Sequence, residues 1–478
     1  MLTRREILVL ALAFLVTLPA VTKRLYASDE VQYFSWLRSL AFDHDADFEN
    51  EFRHFHDTVV PDPGFAETFL APDRRTATGR PVTFAPLGSA LLWAPFYAVG
   101  HLVALTTGAP ADGYSQPYVS AVAIGSACYG FLAVLLSAAI ARQVVGRGLS
   151  ASLLVAAGTP LLFYVYVAPP FSHAASAFAV SLFVWLWLRA RRRWALRDVV
   201  WLGLSAGLMA MVREQDVFFA AGPALDFALW ATGLRRAAAA GGPPVSARPV
   251  PASAASAAPS PAAALTAALA GTVATLVAFA PQLAGYWAVN GRLGPATYVA
   301  RKMTWTSPHA GGVLVDPHFG FLAWTPLGLV ALAGLAGLAA RRIARDRPEA
   351  AWIGAVALFM FACQVYVSGS VESWTVAGAF GQRRFVGTTP LLVIGVAAAL
   401  EAARTRRARV ALGVVLGICV WWNLGLMALF GLNRMDRQRL SIPDQARDVF
   451  LELPVEAPGI AWRYLAHRSS FFRQPPQR

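Results

Sequence analysis

Two adjacent acids, Asp29 and Glu30, follow the first apolar segment of the chain, which ends near Val21. A carboxylate this close to the lipid boundary is partly desolvated and can act as a general base. The next residues, VQYFSWLRSLAF, are apolar at positions 31, 34, 37, 40 and 41, which predicts an amphipathic helix lying on the outer leaflet. The two acids are therefore either catalytic groups or the N-cap and first turn of this helix, and the residues alone leave both interpretations open.

Cations lie near the ends of several other apolar segments. They are Arg213 in the string REQD, Arg301 and Lys302 in one short loop, and Arg383 and Arg384 in the string GQRRF. Arginine forks at a lipid boundary can hold a lipid phosphate through two parallel hydrogen bonds. Interfacial cations also occur there without any ligand. We expect these five side chains to bind a lipid phosphate, with Arg383 and Arg384 first.

Aromatic and acidic residues accompany these cations in the same loops. Trp305, Trp374 and Glu372 are candidates for contacts to a sugar or to an acceptor, since an indole can stack on a sugar ring. Tryptophans at this depth are also the usual belt residues of membrane proteins.

The acidic string DHDAD, residues 43–47, is followed by His54 and His56 and has the composition of a divalent metal site. It lacks the glycine and the twelfth-position glutamate of an EF-hand loop. A turn between two amphipathic helices explains the same string. The sequence identifies no cofactor, and a divalent metal ion stays an open alternative.

The composition identifies the class of protein that must position these residues. The chain has 478 residues, of which 56% are hydrophobic and 14% are charged. Long apolar runs in such a chain predict an all-α polytopic membrane protein. The net charge of +14 belongs to loops on one side of the bilayer and does not indicate a nucleic-acid partner. The apolar runs lie near 7–21, 87–105, 118–141, 153–167, 171–188, 199–212, 217–230, 265–289, 319–340, 351–367, 385–400 and 410–432.

The basic clusters fix a topology for these twelve runs. If the run at 87–105, which is broken by prolines, lies along the outer surface, every short basic loop falls on the cytoplasmic side. The prediction is therefore about eleven transmembrane helices, with the N-terminus inside and the C-terminus outside. Runs 199–212 and 217–230 form a hairpin whose outer tip is REQD.

This topology divides the chain into blocks. Residues 1–236 form an N-terminal transmembrane block, which includes a first outer loop at 23–86 with juxtamembrane helices and a further juxtamembrane helix at 87–105. A cytoplasmic Pro/Ala/Ser-rich linker is expected at 237–264. A C-terminal transmembrane block follows at 265–432, and an outer tail at 433–478.

A first span followed at once by an Asp-Glu pair, then by a long outer loop, resembles the GT-C glycosyltransferases. These include the protein O-mannosyltransferases and the lipid A aminoarabinose transferase. The matching strings are SDEVQYFSWLRSLAFD (28–43), GRPVTFAPLGSALLWAPFYAVG (79–100) and GTPLLFYVYVAPPFSHAASAFAVSLFVWLWL (158–188). The resemblance covers the N-terminal half, and the C-terminal half only by topology. The chain has TFAPLG where aminoarabinose-type enzymes usually carry Lys-Pro-Pro or His-Pro-Pro.

The resemblance implies a GT-C-like fold and an inverting transfer of a sugar from a polyprenyl-phosphate donor to a hydroxyl of a glycan, lipid or protein. The reaction would take place on the outer face of the cytoplasmic membrane. Asp29 matches the position of the catalytic acid of the family, and Glu30 is its neighbour. The alternatives are a secondary transporter, against which the absence of an internal repeat counts, and another membrane protein acting on lipid-linked glycans.

Overall fold

The structure is a computed structural model that describes residues 2–233, 260–345 and 347–467. Every regular element of two turns or more in these ranges is a helix. The longer helices are Arg4–Thr17, Ser28–Arg38, Glu49–Thr58, Gly88–Thr107, Gln116–Val144, Leu149–Ala157, His173–Ala190, Leu196–Val212, Ala221–Ala231, Pro261–Asn290, Leu327–Ala339, Pro348–Gly369, Thr389–Ala402, Arg406–Gly431 and Leu453–Ala466. Shorter ones are Pro63–Phe69, Leu161–Tyr166, Thr297–Arg301, Ala310–Val315, Phe321–Trp324 and Ile442–Arg447.

Seven of the described helices are long and apolar enough to cross a bilayer. Their outward faces are apolar: on the Pro261–Asn290 helix, for example, Leu265 and Val277 are each about three-fifths exposed. A folded protein in water does not present such surfaces over several helices, so the chain is a helical membrane protein. The seven are Gly88–Thr107, Gln116–Val144, His173–Ala190, Pro261–Asn290, Glu349–Gly369, Arg383–Ala402 and Arg406–Gly431.

Two apolar runs that the sequence presents as continuous are broken in the structure. The run at 153–167 is divided into Leu149–Ala157 and Leu161–Tyr166, and the break falls at Gly158-Thr159-Pro160. The run at 319–340 is divided before Pro326. A proline ring clashes with the preceding turn and removes an N–H donor, so each helix restarts after it.

Ion pairs join the basic segments at one end of the helix bundle. Glu6 accepts from Arg142 at 2.5 Å, and Glu401 accepts from Arg147 at 2.5 Å. Buried Arg191 binds both Glu349, at 2.8 Å, and Asp226, at 3.0 Å. The segments that carry these residues are the ones that the positive-inside rule assigns to a single side.

A second set of contacts joins the segments at the other end of the bundle. Gln116 donates to the carbonyl of Lys23 at 2.7 Å, and the amide of Gly378 donates to the carbonyl of Arg437 at 2.9 Å. The C-terminal segment returns to this end, because the Tyr464 hydroxyl donates to Ala20 O at 2.9 Å. This end carries the candidate site, and we call it the outer end after the topology that the sequence predicts.

The predicted first outer loop, residues 23–86, is folded. The helices Ser28–Arg38, Glu49–Thr58 and Pro63–Phe69 enclose a core of aromatic rings, and Trp36 donates to the carbonyl of Ala85 at 2.9 Å. The rings belong to Phe34, Phe48, Phe52, Phe55, Phe65 and Phe69, which are all buried. This aromatic core gives the helix of Asp29 and Glu30 a rigid support.

The Gly88–Thr107 helix runs antiparallel to Gln116–Val144. The hydroxyl of Tyr129 donates to Leu92 O at 2.8 Å, and Tyr118 Oη lies 2.6 Å from Nδ1 of His101. At its start a Cβ on Gly88 would lie 2.4 Å from the carbonyl carbon of Met211, so the two backbones are in direct contact there. The helix therefore begins against the end of Leu196–Val212, next to the candidate site.

Glycines hold Leu196–Val212 against Pro261–Asn290. A Cβ on Gly203 would lie 2.3 Å from Gly271 O, and one on Gly207 would lie 2.4 Å from Thr275 O. Only glycine permits this approach of two helix backbones, as in small-residue seams of membrane helices. We call this contact the glycine seam.

The predicted linker at 237–264 lies outside the described residues except for its last five positions. There the structure differs from the prediction, because Ser260 caps a helix that begins at Pro261. The hydroxyl of Ser260 accepts from the Ala263 amide at 3.2 Å, and Pro261 stands at the first helical position, where its missing N–H costs nothing.

Candidate functional site

A cavity of about 500 Å³ opens at the outer end of the bundle. Four cations and two carboxylic acids line it, and its apolar walls come from several distant segments. We call it the Asp29 cavity. The six are Asp29, Arg213, Glu214, Lys302, Arg383 and Arg384, and the remaining lining includes Tyr33, Phe84, Phe171, His173, Phe218 and Trp305.

The first turn of Ser28–Arg38 places the two adjacent acids in opposite environments. Asp29 lines the cavity and is 38% exposed, whereas Glu30 is fully buried. Oε2 of Glu30 accepts from the amides of Tyr26, at 2.7 Å, and Ala27, at 3.1 Å, and so completes the N-terminal cap of the helix. Burial raises the pKa of Glu30 to about 8. Glu30 therefore orients the helix, and Asp29 is the acid that faces the cavity.

Arg383 forms an ion pair with Asp29. Its Nη1 donates to Asp29 Oδ2 at 2.5 Å, and its guanidinium carbon lies 5.7 Å from the centre of the Phe171 ring. The Arg383–Thr388 3₁₀ segment carries this arginine, and the amide of Arg383 donates to Gly381 O at 2.8 Å. The two residues are 354 positions apart in the chain. The sequence analysis named each of them as a candidate but did not predict that they form a pair.

Arg384 faces the same cavity and is held from a different loop. Its guanidinium donates to the carbonyl of Ser373 at 2.9 Å and to the Ser373 hydroxyl at 3.1 Å. The carbonyl of Arg384 accepts from Gln364 at 2.8 Å. These contacts leave other N–H groups of its five-donor fork for a ligand.

Arg213 contacts His173 at Nδ1. Because a guanidinium can only donate, Nδ1 of His173 must accept, and the ring proton then lies on Nε2. The imidazole packs against Tyr164 at 4.2 Å and Phe171 at 5.7 Å between ring centres. His173 is a cavity residue that the sequence did not single out, although it lies in the string PPFSHA.

Glu214 is a second acid in the cavity that the sequence did not single out as a site residue. It follows Arg213 in REQD, and burial raises its pKa to about 7. The two cavity carboxyls thus differ in environment, since Asp29 is paired with an arginine and the ionised form of Glu214 is disfavoured by desolvation. The signal in the sequence was the acid beside an arginine at a predicted outer tip.

Lys302 and Trp305 form the opposite wall. The ammonium of Lys302 lies 5.4 Å from the centre of the Phe84 ring, a cation–π contact. The indole of Trp305 packs against Phe218 at 5.7 Å and Tyr366 at 6.1 Å. An aromatic wall beside charged groups is suited to a sugar ring.

Glu30 is buried outside the cavity, and three other predicted site residues also do not line it. Arg301 and Glu372 are exposed and do not line the cavity. Trp374 stacks on His309 at 5.4 Å between ring centres, meets Phe319 edge-on at 6.0 Å, and does not line the cavity. All three are neighbours of lining residues in sequence, and sequence proximity could not tell which side chain of each loop faces inward.

Two acids of DHDAD accept hydrogen bonds from neighbouring side chains. Asp43 accepts from Arg38 and from Asn50, the latter at 2.7 Å, and Asp45 accepts from the Ser39 hydroxyl at 2.7 Å. Among residues 2–233, 260–345 and 347–467, no group of three or more His, Cys, Asp or Glu side chains is arranged to hold a metal ion.

The site thus combines four cations, a paired carboxylate, a partly buried carboxyl and an aromatic wall at the outer end of a helical membrane protein. Such a set can bind an anionic group, and Asp29 can accept a proton from a hydroxyl beside it. Neither the models of known protein families nor the sequences of curated proteins give a match to this chain.

Proposed function

We propose that the protein is an inverting glycosyltransferase with a GT-C-like arrangement of helices. It would move a sugar from a polyprenyl-phosphate donor to a hydroxyl acceptor on the outer face of the cytoplasmic membrane. The observation that carries the proposal is the Asp29 carboxylate, 2.5 Å from Arg383, in a cavity that Arg213, Lys302 and Arg384 also line. A lipid-linked sugar phosphate needs these two elements together, a base and cations at the lipid boundary.

In the proposed reaction Asp29 accepts the proton of the acceptor hydroxyl while the hydroxyl oxygen attacks the anomeric carbon. The bond between that carbon and the phosphate oxygen breaks, its electron pair leaves with polyprenyl phosphate, and the configuration at the carbon inverts. Charge grows on the phosphate oxygen as the bond breaks. Arg384, Arg213 and Lys302 are the cations that would stabilise it, since preorganised donors contribute most where charge develops.

Arg383 has a different role in this proposal. Its contact with Asp29 at 2.5 Å keeps the carboxylate oriented before the substrate enters. A phosphate beside the same guanidinium would compete for its donors and weaken its hold on Asp29. The Asp29 carboxylate would then be free to accept from the acceptor hydroxyl when the donor is bound.

The proposed topology has eleven spans, with the basic end of the bundle in the cytoplasm. Two contacts support the assignment of Gly88–Thr107 as a segment that does not cross. Gln116 is bound to Lys23 at the outer end, and Arg142 is bound to Glu6 at the other end. The chain between Lys23 and Gln116 thus starts and ends on the same side. A segment of this kind crosses the bilayer an even number of times, so Gly88–Thr107 cannot be its only crossing helix.

Cysteine accessibility tests this topology. In a variant whose native cysteines are replaced by alanine, we introduce Ala111→Cys, an exposed position after Gly88–Thr107, or Ala408→Cys, an exposed position in the basic cluster. A membrane-impermeant maleimide added to intact cells should label the first and not the second. Labelling of Ala408→Cys alone would show that the orientation is the opposite of the proposed one. Protection of both positions would show that the residues after Gly88–Thr107 are not on the outer side.

Native mass spectrometry of the purified chain tests the donor. We expect bound polyprenyl phosphate in the wild type and much less in the double variant Arg383→Ala/Arg384→Ala. Arg301→Ala is the matched control, because Arg301 is an exposed arginine of a neighbouring loop outside the cavity. If added polyprenyl phosphate does not bind the wild type, the transferase proposal loses its donor and a secondary transporter becomes the better interpretation.

A further inference from the structure

A second cavity of about 480 Å³ adjoins the Asp29 cavity and shares Phe84 and Lys302 with it. We infer that this cavity binds a saccharide that carries a carboxylate or a phosphate group. Its assignment as the acceptor side rests on the proposed function, whereas the binding itself does not. The other lining residues are Thr68, Asp73, Arg74, Arg75, Thr76, Ala77, Val82, Asn290, Arg292, Ala296 and Thr297.

The charge of the lining favours an anion. It contains four cations, Arg74, Arg75, Arg292 and Lys302, and one acid, Asp73. Guanidinium groups bind carboxylate and phosphate oxygens in pairs, which gives orientation as well as attraction.

The cations are held in place by the fold. Arg75 binds Glu49 and donates to Leu70 O at 3.3 Å, and Arg292 donates to the Thr297 hydroxyl at 3.3 Å. Glu49 also binds Arg53, so it offsets only part of the local charge.

The uncharged part of the lining suits a sugar. Asn290 is 8% exposed, its amide nitrogen donates to Gly294 O at 3.0 Å, and its Oδ1 has no hydrogen-bond partner among the described residues. A buried acceptor without a partner is costly, and Asn290 is part of the wall of this cavity. The three threonines of the lining supply further hydroxyls, and Val82 and Phe84 supply an apolar face for the ring.

The position of the cavity favours an acceptor over the lipid donor. It is built from residues 68–77 of the folded outer loop and from the loop after Asn290, both beyond the ends of the apolar helices. Its wall toward Asp29 consists of Phe84 and Lys302. A saccharide seated here could extend a hydroxyl past this wall to the Asp29 carboxylate, while the donor phosphate occupies the cations on the far side.

Binding to the purified full chain at low salt tests the inference without any transfer reaction. The probes are trigalacturonate, mannose 6-phosphate, neutral maltotriose and inorganic phosphate. The variant is Arg74→Gln/Arg292→Gln. The control is Arg301→Gln, an exposed arginine that lines neither cavity. Polyprenyl phosphate binding is measured in parallel.

We expect at least one of the two anionic saccharides to bind, with maltotriose at least about tenfold weaker, since about 1.4 kcal/mol corresponds to tenfold. The double variant should bind the anionic saccharide about tenfold or more weakly, and its affinity for polyprenyl phosphate should be unchanged. The inference would be overturned if maltotriose bound as tightly as the anionic saccharides, or if inorganic phosphate bound as tightly as mannose 6-phosphate. It would also be overturned if the double variant bound the anionic saccharide as tightly as the wild type. Saccharide binding without polyprenyl phosphate binding would uphold this cavity and remove the proposed donor.

Discussion

Replacing Asp29 by asparagine is expected to have two opposite effects, slower transfer and tighter binding of polyprenyl phosphate. Transfer slows because asparagine cannot take the proton of the acceptor hydroxyl, and loss of a general base costs roughly 10²–10⁴-fold in rate. Binding tightens because the cavity loses a negative charge and Arg383, now bound to Asp29 at 2.5 Å, becomes available to the phosphate.

The second effect can be estimated from Coulomb's law. A phosphate that contacts the guanidinium of Arg383 would lie on the order of 5 Å from the Asp29 carboxylate. Repulsion between unit charges at that distance is about 1–3 kcal/mol for effective dielectric constants between those of water and a protein surface. Removing it should tighten binding by about five- to a hundredfold, and by less at high salt.

The assay is a native mass-spectrometry titration of polyprenyl phosphate against wild type, Asp29→Asn and Glu372→Gln. Glu372 is the matched control, an exposed acid of the Arg384 loop that does not line the cavity. Its change to glutamine should leave the affinity near that of the wild type. Weaker binding by Asp29→Asn would mean that Asp29 serves only to hold Arg383 in place, which contradicts the expected release of this arginine to the phosphate.

Three further predictions concern stability, and each is measured by thermal unfolding in detergent. Gly88→Ala should destabilise the protein by about 1–3 kcal/mol, because its Cβ would lie 2.4 Å from the backbone of Met211, whereas Gly413→Ala, with no atom within 4 Å, should not; equal effects would refute the contact. Glu30 has a pKa raised from 4.5 to about 8, so the wild type should lose stability as pH rises from about 4.5 through 8, and Glu30→Gln should lose less over that window; parallel pH curves would contradict this. Asp226→Ala removes the acceptor of buried Arg191 and of two tryptophan N–H groups. It should lower the free energy of unfolding by about 3–5 kcal/mol. A decrease in Tm of less than a degree or two would contradict this prediction.

The helical membrane class was predictable from the sequence because many long apolar runs in one chain are typical of membrane-spanning helices and rare in water-soluble folds. The break at 158–160 was not predicted, although Pro160 is visible, because a kinked helix and two helices have the same apolar pattern. The fold of the first outer loop was also only partly predictable. Its amphipathic spacing was clear, but the aromatic core that unites its three helices depends on side chains that meet in space.

For the site residues, the sequence indicates the residue types and their approximate depth in the membrane. It does not indicate which side chains point into the cavity. Sequence reasoning proposed Asp29, Arg213, Lys302, Arg383, Arg384 and Trp305, which line one cavity, together with Glu30, Arg301, Glu372 and Trp374, which do not. The residues of the second set lie within a few positions of the first, and irregular loops have no periodicity from which facing could be read. His173 was missed because its string has no chemical signature of its own, and Glu214 was missed although it stands beside Arg213 at a predicted outer tip.

The glycine seam has a consequence for how the chain can be cut and rejoined. Gly203 and Gly207 bring Leu196–Val212 into backbone contact with Pro261–Asn290, so helices on the two sides of residues 234–259 are joined by their own surfaces. The covalent connection is then dispensable for association. Two fragments, separated within 234–259 and produced together, should assemble into one complex. A bulky residue at Gly203 should block that assembly while leaving each fragment in the membrane.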